Sequence, residues 1–358
     1  MNTGFLNSIN YFRGLAIVAI VFGHSYGLSN IDVDTVFDRT FFSLIKHGSV
    51  YFIFISGFLF HHIYFVKKAN SFKYPTFIKK KISYVFVPYL LISIVPIIFR
   101  VFYLENRHYV ADWATNNDLL SLLWYVLTGK IFVGYWYVPT GMILFLLSPL
   151  IIKLIESKYC LPTIIFLLGV ALIIHRPVDN LNPIHSTIYF LPTYILGCYA
   201  SKNRNHIYSY MKSKTVVFSV IAISLAFMQA LFWENPGSAK QDFVLLSSNF
   251  DVWSVNKIDI ILIQKIVICF LLMSLLYYCK KIDIKALEWL AQRSFAIYFI
   301  HPILMSIGRW VVVKNNLSYE GNYLIWFGVG SYLLLGSMAI AQIIKILFKK
   351  NSRYLIGW

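Results

Sequence analysis

The chain has 358 residues, of which 58% are hydrophobic, 18% aromatic and 13% charged, with a formal net charge of +17. Soluble domains carry about 25% charged residues, so the polar surface that a water-soluble or disordered chain needs is missing. A mean hydropathy of +0.66 points instead to a polytopic membrane protein.

Ten apolar segments follow one another along the chain: Ile9–Leu28, Gly48–Val66, Ile82–Phe102, Tyr137–Ile155, Leu161–Ile174, Thr187–Ala200, Val216–Trp233, Ile258–Tyr278, Phe295–Val313 and Tyr323–Phe348. A helix needs about 20 such residues to cross a bilayer, and unpaired backbone groups are not tolerated in lipid. The sequence therefore predicts an all-α protein with about ten transmembrane helices. The fifth and sixth segments, at 14 residues each, need polar flanks to complete a crossing. The run Leu119–Leu127 is too short to span and reads as interfacial. Pro88, Pro96, Pro149, Pro192 and Pro302 predict kinks. The opening MNTGFLNSIN has no charged n-region or cleavage site, so the first segment reads as a retained helix. Cys160, Cys198, Cys269 and Cys279 show no CxxC spacing and read as packing residues rather than a disulfide or metal framework.

Lys and Arg collect in alternate loops. With the N-terminus inside, 20 of the 32 basic residues fall on the inner side: Lys67, Lys68, Lys73 and Lys79–Lys81 after the second segment, Lys153 and Lys158 after the fourth, Lys202, Arg204, Lys212 and Lys214 after the sixth, Lys280, Lys281, Lys285 and Arg293 after the eighth, and Lys345, Lys349, Lys350 and Arg353 near the end. Three acids, Glu156, Asp283 and Glu288, share that side. This excess equals the whole net charge, so topology explains it and no nucleic acid is implied. Both termini are expected in the cytoplasm.

Polar groups inside apolar helices are costly and point to function. The first segment holds two, Arg13 and His24. Eleven residues are close to three helical turns, which places both on one face about 16 Å apart. They either look into a shared interior channel, or Arg13 snorkels to the inner interface and His24 bonds a neighbouring helix. His301 stands in the ninth segment, with a structural or proton-carrying role open. His61 and His62 end the second at the inner interface, where they are expected to be solvated, and Lys265 and Arg309 are expected to snorkel outward. No HExxH, Walker loop, nucleophile elbow or acidic cluster occurs, so no metal is expected.

The spacing Arg13-x10-His24 within FRGLAIVAIVFGH resembles the opening helix of the membrane acyltransferase-3 family. Five further stretches are similar to that family in the same order: YFIFISGFLF, FIKKKISYVFVPYLL, WYVPTGMILFLLSPLI, LPTYILGCYASK and SFAIYFIHPIL. The resemblance runs from Arg13 to Pro302. It implies a single transmembrane acyltransferase domain over residues 1–358 with no appended soluble domain, since the outer segment Tyr103–Trp136 is too short for one. It also implies an acyl-CoA-dependent O-acetyltransferase of a bacterial inner membrane. The acyl group, commonly acetyl, would pass from cytoplasmic acetyl-CoA to a hydroxyl of exopolysaccharide, capsule or O-antigen.

In that reading His24 is the catalytic base or acyl relay. Arg13 stabilises the developing charge or holds a CoA phosphate. Lys79, Lys80 and Lys81 attract the nucleotide, although the family's pair of arginines three apart is replaced here by Lys81 and Tyr84. Ser56 and Gly57 either leave room for the pantetheine arm or pack helices. Trp136 and Tyr137 stack on a sugar or belong to an aromatic belt. Membrane lipid, the glycan acceptor and polysaccharide-assembly proteins are the expected partners. The competing readings are a transporter or exporter of a glycan or small solute, and a non-catalytic assembly subunit.

Overall fold

The computed structural model describes residues 3–67, 72–104, 107–232, 240–241, 259–279 and 282–358. Lys68, Lys280 and Lys281 of the inner basic groups, and the segment ends Trp233 and Ile258, lie outside these residues. The chain forms α1 (Thr3–Ser29), α2 (Val36–Ile45), α3 (Ser49–His61), α4 (Tyr74–Lys81), α5 (Val87–Phe102), α6 (Asp112–Thr115), α7 (Asp118–Thr128), α8 (Tyr137–Leu146) and α9 (Ser148–Glu156). It continues with α10 (Cys160–Ile174), α11 (Pro183–Lys202), α12 (Arg204–Lys212), α13 (Thr215–Phe232), α14 (Ile260–Tyr278), α15 (Lys285–Lys314), α16 (Tyr323–Phe348) and α17 (Ser352–Ile356). Strands β1 (Arg176–Pro177) and β2 (Lys240–Gln241) form a short parallel pair.

The fold is an all-α, polytopic membrane protein. Among the described residues, six helical stretches are long and apolar enough to cross a bilayer: Asn7–Ser29, Val36–Lys67, Tyr74–Phe102, Ile260–Tyr278, Lys285–Lys314 and Tyr323–Ile356. Two bent pairs raise the number to eight if each is one span, α8 with α9 at 59° and α12 with α13 at 83°. Length and apolarity thus pick out six to eight of the ten expected segments among the described residues. The two short segments account for the difference. Helix α10, with 15 residues, reaches only about 22 Å at 1.5 Å per residue. Helix α11, with 20 residues, is long enough but lowers its mean hydropathy with His185, Ser186, Thr187, Thr193 and Ser201, which are buried among other helices.

The breaks have local causes. Pro149 sits in the first turn of α9, where its missing N–H costs nothing, and the chain bends there. A π-helical turn, Ile82–Phe86, precedes Pro88 at the start of α5, and a second, His62–Lys67, continues α3. Helix α7 is interfacial in character: Leu119, Leu123 and Leu127 point outward while Ser121, Tyr125 and Thr128 are buried. Outward apolar rows such as Val216, Val220, Ile223 and Phe227 on α13 suit contact with lipid. The four cysteines are free thiols, three of them buried.

Helix α1 is the inner post of the bundle, packed on α3, α14, α15 and α16. Close approach between helices relies on glycine. A Cβ at Gly14 would stand 2.5 Å from the Leu287 carbonyl oxygen of α15. Helices α3 and α11 cross most tightly: a Cβ at Gly57 would meet the Tyr194 oxygen at 2.0 Å, and one at Gly197 the Phe54 oxygen at 2.1 Å. Without a hydrophobic drive in lipid, such backbone contact is what binds two helices together. Gly57→Ala is expected to force the crossing apart, costing about 1–3 kcal/mol as overpacked cores do. Gly169→Ala, with nothing within 4 Å, should be tolerated. Melting of both variants in detergent checks the contrast, and equal melting temperatures would refute it.

Candidate functional site

Helix α1 delivers His24 to the end of a cavity of about 250 Å³. The walls are Lys46, His47 and Ser49 from the α2–α3 turn, Gly134, Trp136 and Tyr137 from the loop before α8, Arg176 and Asn180 from the α10–α11 loop, and Phe52 and Tyr298. The three connecting stretches are ones the charge distribution assigns to the outer side. Among the described residues, no Asp or Glu lines this space.

The His24 ring does not end in solvent on both sides. Its Nδ1 lies 2.9 Å from Nε2 of His301, and the two rings stack at 5.2 Å. His301 is fully buried, and its Nδ1 lies 2.8 Å from the Ile297 carbonyl one turn back. A carbonyl only accepts, so His301 Nδ1–H donates to it and His301 Nε2 offers a lone pair. His24 Nδ1–H must then donate to that lone pair, which leaves His24 Nε2 as the acceptor nitrogen. Pro302 follows His301 directly and lacks the N–H that would bond the Tyr298 carbonyl, so α15 is loosened beside the histidine pair.

The roof over His24 is the loop from Gly129 to Tyr137. Gly129 (φ +68°) and Gly134 (φ +86°) take left-handed conformations that side-chained residues avoid. They fold the loop inward so that the Tyr298 hydroxyl donates to the Gly134 carbonyl and the Tyr135 hydroxyl donates to Phe299 O at 2.6 Å. A Cβ at Gly134 would lie 3.1 Å from His24 Cε1. The loop and the histidine pair are therefore fixed against the same stretch of α15.

Arg13 faces the same helix but not the same cavity. Its Nε donates to the Ala291 carbonyl of α15 at 2.8 Å, and its Nη2 donates to the same oxygen. The one-face expectation for Arg13 and His24 agrees with this geometry. The shared channel does not: the cavity reaches His24 and leaves Arg13 out. A guanidinium forked onto a helix carbonyl pins α1 to α15.

Other expectations are corrected by burial. Trp136 and Tyr137 are buried cavity walls, not an exposed aromatic belt. Trp136 stacks on Phe190 at 5.2 Å, and the Arg176 guanidinium lies 4.8 Å from the Trp136 ring. Gly57 carries the α3–α11 crossing, and Cys198 Sγ donates to its carbonyl. That leaves no room at Gly57 for a pantetheine arm. Ser56 is half-buried in the next position and does not line the cavity. Lys79 and Lys80 are exposed, while Lys81 Nζ sits 4.1 Å from the Phe145 ring centre; none of the three lines the cavity. His301 is no separate group but the partner of His24. It stands mid-helix, because α15 begins at Lys285 and not at Phe295. His62 is buried, stacked on Phe58, where solvation was expected.

Lys265 departs furthest from expectation. It is fully buried instead of snorkelling, and its Nζ donates to the carbonyls of Ser43 at 2.6 Å and Leu44 at 2.9 Å. Those carbonyls end α2, where a cation offsets the helix dipole. Arg309 stays exposed and reaches the Gly27 carbonyl.

Sequence reading passed over Arg176, Lys46, His47 and Asn180, which lie in short connecting stretches without periodicity. Arg176 Nε donates to Asn180 Oδ1 at 2.7 Å and its Nη1 to His47 Nδ1 at 3.0 Å. Burial draws its pKa down, and the neighbouring Tyr189 and Asp259 act in the opposite sense. Burial also raises the Asp259 pKa; its carboxylate accepts from the Tyr189 hydroxyl at 2.6 Å and from Leu262 N at 3.1 Å. Among the described residues, no group of three or more His, Cys, Asp and Glu could hold a metal.

A family model described as an acyltransferase domain matches residues 6–342. Curated relatives include proteins of Staphylococcus aureus strains Mu50 and MSSA476, each named probable poly-beta-1,6-N-acetyl-D-glucosamine export protein. Each is 21% identical over 301 residues, covering 78% of this chain and 75% of the relative. No solved structure matches the chain.

Lys265 supports the cavity from below, since Ser43 and Leu44 lead directly into Lys46 and His47. Lys265→Met is expected to speed amide hydrogen exchange over residues 43–48 while α15 stays protected. Unchanged exchange there would remove the anchoring role.

Proposed function

The chain belongs to the membrane acyltransferase-3 family, and from that premise we propose that it acylates a hydroxyl of a cell-surface glycan. The donor in this reading is cytoplasmic acyl-CoA, most simply acetyl-CoA. The acceptor is an extracytoplasmic or lipid-linked glycan such as exopolysaccharide, capsule or O-antigen, and the membrane is the bacterial inner membrane with both termini in the cytoplasm. Residues 1–358 act as one transmembrane domain.

The observation that carries the reading is the Ile297–His301–His24 hydrogen-bond chain, which ends with His24 Nε2 at the cavity. A sugar hydroxyl is a weak nucleophile until a base takes its proton. His24 Nε2 accepts that proton as the hydroxyl oxygen attacks the thioester carbonyl carbon. The C–S bond then breaks, and the thiolate of CoA takes the proton back from Nε2. While His24 carries the proton, the His301 lone pair stabilises the imidazolium and the Ile297 carbonyl holds His301 in place. His301 is thus a positioning residue for the base. Trp136 and Tyr137 supply aromatic faces for a sugar ring, and Arg13 keeps α1 in register with α15.

A second reading, export of a glycan, is favoured by one finding, the printed names of the relatives. The two readings separate in proteoliposomes: acylation consumes acyl-CoA and releases CoA thiol, whereas export moves glycan without it.

His24→Ala is expected to abolish acyl transfer from labelled acetyl-CoA while the protein still accumulates in the membrane. Retained transfer would remove the base. Label fixed on the chain in the absence of acceptor would replace the base by an acyl-histidine relay. His301→Gln is expected to lower kcat by about 10²–10⁴ with the acceptor KM nearly unchanged. A rise in KM at constant kcat would reassign His301 to binding.

A further inference from the structure

The cavity beside His24 has a feature that hydroxyl acylation does not need. Two cations, Arg176 and Lys46, stand in its wall, and no carboxylate among the described residues shares it. Neither cation forms an ion pair with an acidic side chain among the described residues. Arg176 is not a loose surface group. Asn180 Oδ1 and the lone pair of His47 Nδ1 hold two of its N–H groups, and its Cζ lies 4.8 Å from the centre of the Trp136 ring. His47, accepting at Nδ1, is therefore neutral. Lys46 is held in turn over the Tyr26 ring, 3.6 Å from its centre.

Both cations are fixed by neutral partners. The carboxylate that influences Arg176 electrostatically, Asp259, is outside the cavity lining and already accepts from Tyr189 and Leu262. Low-dielectric positive charge without a facing anion is unfavourable, and a rigid guanidinium fork matches the two oxygens of a carboxylate or phosphate.

We propose that Arg176 and Lys46 form an oxyanion subsite beside His24, which receives a carboxylate or phosphate carried by the acceptor. The proposal rests on the acyl-transfer reading for the identity of the occupant, and it makes the acceptor an anionic glycan. Two sources offer that chemistry, an acidic sugar and the phosphate of a lipid-linked saccharide. At about 250 Å³ the space falls below the usual range of small-molecule pockets, about 300–1,000 Å³. It suits one sugar-sized unit with its charged substituent, not a length of polymer. The anion at Arg176 and the aromatic face of Trp136 would then set which hydroxyl reaches His24 Nε2.

Binding by the purified full-length chain in nanodiscs tests this, read by tryptophan fluorescence with glucuronate, inorganic phosphate and glucose as probes. The expected result is saturable binding of glucuronate or phosphate and much weaker binding of glucose. Arg176→Gln should weaken the anion by about tenfold to a hundredfold, and Arg176→Lys by less. Lys46→Gln should weaken it too, which keeps the test open if Arg176→Gln does not fold. Preference for glucuronate assigns an acidic sugar, and preference for phosphate assigns a phosphate-linked acceptor. Equal affinity for glucose and both anions, or parental affinity in both Gln variants, overturns the subsite. Loss of the subsite would leave transfer at His24 standing, and failure of transfer with anion binding intact would remove the acylation reading alone.

Discussion

The hydrogen bond between His24 and His301 is the constraint on which the rest of the site depends. A lone imidazole in a membrane helix has two equivalent tautomers and no reason to prefer one. Here the Ile297 carbonyl fixes His301, and His301 fixes His24, so one nitrogen is left to accept a proton at the cavity. The device needs α15 to place an imidazole and a carbonyl one turn apart, as it does with His301 and Ile297. It also needs α1 and α15 in a single register, which Gly14 against Leu287 and Arg13 on the Ala291 carbonyl provide.

Around that pair the structure separates two jobs that the sequence suggests are joined. Arg13 bonds a helix carbonyl outside the cavity, and the Lys and Arg residues that line the cavity are Lys46 and Arg176. The difference is one of supply. A guanidinium on α1 is drawn to the nearest carbonyl of the neighbouring helix. Arg176 lies in a loop beside the cavity, where Asn180 and His47 hold two of its N–H groups.

What could be read from the sequence divides along the same line. The helical character of the ten apolar segments and the common face of Arg13 and His24 follow from hydropathy and a 3.6-residue period, which are local properties. The His24–His301 contact joins residues 277 apart, and no periodicity reports it. The beginning of α15 was hidden because Lys285, Glu288 and Arg293 break the apolar run while the backbone stays helical. Lys265 reads as a snorkelling side chain until the two carbonyls that hold it are known. Arg176, Lys46 and His47 lie in short connections whose meeting place is set by the helices between them. Hydropathy also cannot tell an apolar helix facing lipid from one enclosed by protein, as α11 is.

The glycine crossing of α3 and α11 bears on how such a bundle can move. Where backbones touch at Gly57 and Gly197, neither helix can slide or tilt alone without collision, so the two travel as one rigid block. The boundary between α1 and α15 joins such a glycine contact, Gly14 against Leu287, to two side-chain bonds, Arg13 on the Ala291 carbonyl and His24 on His301. Parting α1 from α15 would therefore release the Arg13 clasp and the histidine pair in one movement.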